Sequence, residues 1–112
     1  MPRCMIDDLL TITESVTAEG QAEPISITFT PCLPAESIEY RMNARGNDGE
    51  ARAKMLHDLI LKHVKTWDVQ DRDGKIVDVK SENLKRVPES YWWSMETIIL
   101  GSANKVSEAK KN

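Results

Sequence analysis

Between Glu50 and Lys65 the chain places Met55, Leu56, Leu59, Ile60, His63 and Val64 at intervals that bring them onto one broad stripe of an α-helix. A stripe this wide has to be covered, so the rest of the chain must supply a second apolar surface against it. Two acid-before-base pairs at i,i+4, Glu50–Lys54 and Asp58–Lys62, support the helix on its polar side by roughly 0.3 kcal/mol each. Asn47 or Asp48 is placed to cap its start.

The segment after Pro88 offers the cover. Tyr91, Trp92, Met95, Ile98 and Ile99 form one helical stripe that can pack on the Met55–Val64 stripe, in a helix spanning about 89–100. Gly101 reads as its C-cap, and the polar residues 102–112 read as a disordered tail behind a single domain of residues 1–101. Trp93 and Leu100, seven apart, fall on a separate face. Either Trp93 covers an edge of the core, or Trp93 and Leu100 belong to a surface for protein binding or self-association.

Upstream, residues 9–16 and 25–30 are rich in β-branched residues, and the second run alternates so that Ile25, Ile27 and Phe29 share a face. The polar stretch between them, with Gly20 and Pro24, reads as the long loop of an N-terminal β-hairpin. Pro31 and Pro34 stop the second strand, and a helix at about 35–43 follows, with Ile38 and Met42 four apart on one face. The turn cluster from Asn43 to Glu50 ends it. A short second hairpin, about 67–79, is expected around Asp73-Gly74, because the tight turn needs a positive φ that glycine adopts without strain. Its arms carry Trp67 and Val69 on one side and Ile76, Val77 and Val79 on the other, after which Ser81 is placed to cap a helical turn from Glu82 to Arg86. The pattern as a whole predicts a small α+β fold.

Several functions are excluded by what the chain lacks. Its 112 residues carry a net charge of −3, with basic residues interleaved among acidic ones, so no basic face for nucleic acid is expected. No apolar run approaches the roughly 20 residues that span a bilayer, and Asp7 and Asp8 interrupt the only candidate signal-peptide core; a soluble intracellular protein is expected. Cys4 and Cys32 match no zinc or redox spacing, and neither sits where a thiol pKa would be lowered. The acids Asp68, Asp71, Asp73 and Asp78 fail a calcium-loop test, because the loop ends would be Val69 and Lys80. His57 and His63 are six apart, unlike the four-residue spacing of a metalloprotease helix; His63 is expected to be a hydrogen-bonded core histidine and His57 to face solvent. With no nucleophile elbow, phosphate loop or dinucleotide fingerprint, no catalytic residue, cofactor or metal site is assigned.

The run from Met55 to Pro88 resembles the tail assembly chaperones of long-tailed bacteriophages and prophages. In that family an apolar helix leads into Trp-Asp, an Asp/Gly turn, a Val-rich strand, a Glu-Asn-Leu step, a Leu/Val-Pro step and a last helix. Here Trp67-Asp68, Asp73-Gly74, Glu82-Asn83-Leu84 and Val87-Pro88 match that order, and the likeness extends over about residues 24–101. The aromatic run Tyr91-Trp92-Trp93 departs from the usual aliphatic stretch. The resemblance implies a non-catalytic protein of the host bacterial cytoplasm that coats the hydrophobic tape measure protein and helps recruit tail tube subunits. On this reading Trp67, Val69, Trp92, Trp93, Met95 and Leu100 are the residues expected to touch a partner, or a second copy in a homo-oligomer. Two other classes are compatible with the sequence: a structural or completion subunit of a phage particle, and a small metal-dependent enzyme built on Asp68, Asp71, Asp73 and the histidines.

Overall fold

Strand β1, Ile12–Val16, pairs antiparallel with β2, Ile25–Phe29, in the register Ile12↔Phe29 to Val16↔Ile25. This is the hairpin the alternation predicts. Val16, Ile27 and Phe29 are fully buried on its inner face, while Thr13 and Thr28 share a hydroxyl hydrogen bond of 2.9 Å on the other. The computed structural model describes the backbone of residues 10–111 and the side chains of residues 10–103, so Cys4 and the two aspartates at 7 and 8 lie outside the described residues.

Helix α1, Pro34–Arg45, starts where expected but runs two residues further, ending on Gly46, whose N–H bonds the carbonyls of Asn43 and Ala44. Helix α2, Gly49–His63, is the striped helix, with Leu56, Leu59, Ile60 and His63 buried and Asp48 in the N-cap position. It stops two residues short of expectation. Val64 turns to an extended conformation, φ −74° and ψ 122°, and Val64–Trp67 becomes strand β3. β3 pairs antiparallel with β2, Ile27 opposite Trp67, which completes a three-stranded sheet of order β1-β2-β3. Trp67 is therefore a sheet residue rather than one arm of a second hairpin.

The second hairpin shrinks to a tight turn. A single bridge joins Gln70 to Ile76, the Val77 N–H bonds the Val69 carbonyl at 2.9 Å, and Gly74 adopts φ +82°. Helix α3 is one turn, Ser81–Leu84, with Lys80 rather than Ser81 at its N-cap. The Ser81 hydroxyl is instead hydrogen-bonded to His57 Nε2 at 2.8 Å, so His57 is half-buried and does not face solvent freely.

Helix α4 spans Glu89–Lys111 and lies across α2, α1 and β1, burying Tyr91, Met95 and Ile99. It does not end at Gly101. That glycine has no positive φ and continues the helix, because the next turn has core contacts to make. Ser102 and Ala103 are buried, and the Ser102 hydroxyl accepts the Cys32 backbone N–H at 2.8 Å while donating to the Ile99 carbonyl at 2.5 Å. The residues read as the start of a disordered tail thus pin the β2–α1 connection to α4. Ser102→Ala leaves a buried N–H without a partner, and a loss of about 1–3 kcal/mol is expected in denaturant unfolding. The architecture is α+β, and among the described residues no helix is long and apolar enough to cross a membrane.

Candidate functional site

The six residues expected at a partner surface separate into three groups. Trp67, Met95 and Leu100 are buried, the last only 7% exposed. Leu100 therefore does not share an open face with Trp93: it lies in the cleft that α4 forms with α1. Val69 and Trp92 are half-buried against the core, with the Trp92 indole N–H donating to the carbonyls of Leu84 and Val87, each at 3.1 Å. Only Trp93, 37% exposed, lies at the surface. Its N–H donates to Glu89 Oε1 at 3.0 Å, and the Arg52 guanidinium sits 5.5 Å from its ring centroid.

More exposed apolar side chains lie elsewhere: Ile76, beside the tight turn, is 61% exposed but stands alone there, whereas α1 carries a pair. Ile38 and Met42 are 60% and 65% exposed on α1, and Leu33 at the N-cap of that helix is exposed as well. The helix has two candidate faces. Ser37, Tyr40 and Ala44 take the inner one, where the Tyr40 hydroxyl reaches across to Glu96 Oε2 of α4 at 2.8 Å. Burying that face turns Ile38 and Met42 outward, on the side that also carries Arg41 and Arg45. The rival spacing of Ser37, Tyr40 and Ala44, at i, i+3 and i+7, was the signal in the sequence for this orientation.

Between α1 and α4 a cleft of about 340 Å³ is lined by Tyr40, Arg41, Ala44, Arg45, Arg52, Glu96, Thr97 and Leu100. Glu96 is its only carboxylate and is held by Tyr40 and, at 3.4 Å, by Arg52. Arg41 and Arg45 make no ion pair among the described residues. Burial, then the hydrogen bond and charge of Glu96, push the Tyr40 phenol well above its ordinary value of 10.0. Above that value the unfolded chain loses the Tyr40 proton while the folded chain keeps it, so stability falls as pH rises. Tyr40→Phe should flatten that fall by up to about 1.4 kcal/mol per pH unit, measured by urea unfolding from about pH 9 upward.

A second groove, about 350 Å³, runs along α2 and is lined by Ala53, Lys54, His57, Asp58, Lys85 and Trp92. The His57 and Trp92 rings are 6.1 Å apart at its floor. The acids of the 68–78 segment do not converge on an ion. Asp68 accepts the Ser26 N–H at 2.7 Å, and Asp71 accepts the N–H groups of Asp73 and Lys75, so these carboxylates brace the backbone.

A different set of ligand-type side chains does converge. Cys32, Glu36 and His63 bring their Sγ, carboxylate oxygen and ring nitrogen within 4.8 Å of one another, the only such set of three among the described residues. As expected, His63 is a buried, hydrogen-bonded core histidine. Its Nδ1 donates to the Thr30 carbonyl at 2.8 Å, and its Nε2 faces Glu36 Oε2 at 3.1 Å. Burial alone raises the Glu36 carboxyl, but hydrogen bonds from Lys62, at 2.6 Å, and His63 outweigh it and hold the group below its ordinary value. Burial and the adjacent Glu36 push the Cys32 thiol up to about 12, which leaves it protonated and a poor nucleophile. Sequence spacing hid this cluster because His63 comes from a separate element. Only Cys32 and Glu36, one helical turn apart, were a local hint.

Comparison with protein-family models, with characterised proteins and with solved structures returned no match to this chain.

Proposed function

We propose that this chain is a phage tail assembly chaperone, a non-catalytic protein of the host bacterial cytoplasm that holds the hydrophobic tape measure protein until tail tube subunits assemble around it. The observation that carries the proposal is the outward face of α1. Ile38 and Met42 lie open one turn apart, with two arginines beside them that make no ion pair among the described residues. A well-packed core leaves such side chains out at little gain to its own stability; a partner helix gives them a use. Two apolar knobs four apart fit the helix-in-groove mode, in which an amphipathic segment buries its apolar stripe. Arg41, Arg45 and the nearby Arg52 favour a segment whose stripe is bordered by acids. The order of short elements from Trp67 to Pro88, resembling that family, supports the same reading.

The surface in this proposal is α1, with Trp93 a separate exposed aromatic, rather than a shared Trp93/Leu100 face. A small contact area gives modest affinity, which suits a protein that must release its client. The test is co-expression with helical fragments of the tape measure protein. A soluble complex that co-purifies is the expected result; fragments that aggregate equally with and without the chain overturn the proposal.

A further inference from the structure

The donor atoms of Cys32, Glu36 and His63 are drawn from three elements: the β2–α1 connection, the first turn of α1 and the last residue of α2. We propose that they form a binding site for one divalent transition-metal ion, with Zn²⁺ the ion the donor set fits.

Distances come first. Zn–S, Zn–N and Zn–O bonds of about 2.0–2.3 Å in tetrahedral geometry place the ligand atoms roughly 3.3–3.8 Å apart. Cys32 Sγ lies 3.7 Å from Glu36 Oε1, and His63 Nε2 lies 3.1 Å from Glu36 Oε2. With all three donors inside 4.8 Å, closing on an ion asks for shifts of about 1 Å or less.

The histidine is oriented for the task. Because the Thr30 carbonyl can only accept, Nδ1 carries the proton of that 2.8 Å bond, and Nε2 is turned to the carboxylate. Fixing one ring nitrogen on a backbone carbonyl while the other points at the metal is the usual outer-sphere arrangement of a ligating histidine. The contact between Nε2 and Glu36 is attractive only with a cation between them, a proton or a metal ion.

Charge balance favours a doubly charged ion. A thiolate and a carboxylate together offset both charges of Zn²⁺, so the bound site is neutral where Cys32 and His63 are buried. Binding releases the Cys32 proton to solvent. Lys62 now holds Glu36, but its side chain is 67% exposed and can turn to water when the ion takes its place. Its departure leaves a solvent-facing fourth position, which water can fill. Sulfur and imidazole donors select Zn²⁺ over Mg²⁺ or Ca²⁺, which prefer oxygen alone.

The experiment uses the full chain, reduced and stripped of metal, titrated with Co²⁺ as a spectroscopic probe and then with Zn²⁺ against a chromophoric chelator. Expected are one ion per chain, a thiolate-to-cobalt absorption band, and a higher Tm with Zn²⁺. Cys4→Ser should leave the band intact. Cys32→Ser should abolish it and weaken Zn²⁺ at least about 100-fold, the upper end of what outer-sphere changes alone produce. Glu36→Gln, on a side chain that is 26% exposed, should weaken Co²⁺ more than about tenfold and serves if the Cys32 variant does not fold. A folded wild type with no thiolate band, or a band that persists in Cys32→Ser, overturns the site.

Discussion

Trp67→Ala is expected to lower the unfolding free energy by about 3–5 kcal/mol, enough to consume much of the stability of a domain of this size. The residue is 5% exposed, and it sits opposite Ile27 on the edge strand β3. Its indole N–H donates to the Val77 carbonyl at 2.7 Å, which ties the Asp71–Lys75 turn back onto the sheet. Removing the ring opens a cavity beside β2 and frees that turn at once. Trp67→Phe keeps most of the ring volume and loses the hydrogen bond, so about 1–2 kcal/mol is expected. Trp93→Ala, on the surface of α4, should cost less than either. Denaturant midpoints for the three variants check the order. A loss under about 1 kcal/mol for Trp67→Ala would mean that its contacts are not those of a core residue. The comparison matters because both tryptophans were expected at a partner surface, and a binding defect in Trp67→Ala would only report an unfolded protein.

What the sequence made legible follows the range of the forces involved. The α2 stripe, the β1–β2 hairpin and the Asp73-Gly74 turn are local patterns, and each stands where periodicity or turn chemistry puts it. The end of α2 was hidden because His63 and Val64 satisfy a helical stripe and a strand equally well. Pairing with β2, more than 30 residues upstream, decided for the strand. Gly101 misled for a related reason. A glycine after an apolar run resembles a C-cap, but the cue was outweighed by the contact between Ser102 and Cys32, 70 residues apart. In α1 the apolar pair was visible and its direction was not: a tyrosine that finds Glu96 competes with Ile38 and Met42 for the single inner face. The Cys32–Glu36–His63 cluster is the same lesson in ligand atoms, since only the packing of α2 beside the start of α1 brings the histidine in.

Changing the outer face of α1 should affect binding and little else. In Ile38→Gln/Met42→Gln both replacements are good helix formers, and the side chains removed are mostly in water, so stability is expected to stay within about 0.5 kcal/mol of wild type. In the complex each of the original side chains goes from largely exposed to covered, a change worth roughly 1–2 kcal/mol apiece after the part already buried is discounted. Together they should weaken capture of a tape measure helix by roughly 30- to 900-fold. The arginines contribute differently. Arg41→Gln/Arg45→Gln should slow association and remove most of its salt dependence while changing dissociation less, because rim charges act mainly on the encounter. Titration calorimetry for the first pair and stopped-flow mixing at two salt concentrations for the second separate the two effects. Unchanged affinity in the Ile38/Met42 variant, with an unaltered Tm, would remove α1 from the binding surface and move the search to the groove along α2 that His57 and Trp92 line. Loss of affinity in the first pair together with a loss of salt dependence in the second would place one amphipathic helix across both features, its apolar stripe on Ile38 and Met42 and its acids toward the Arg41–Arg45 side.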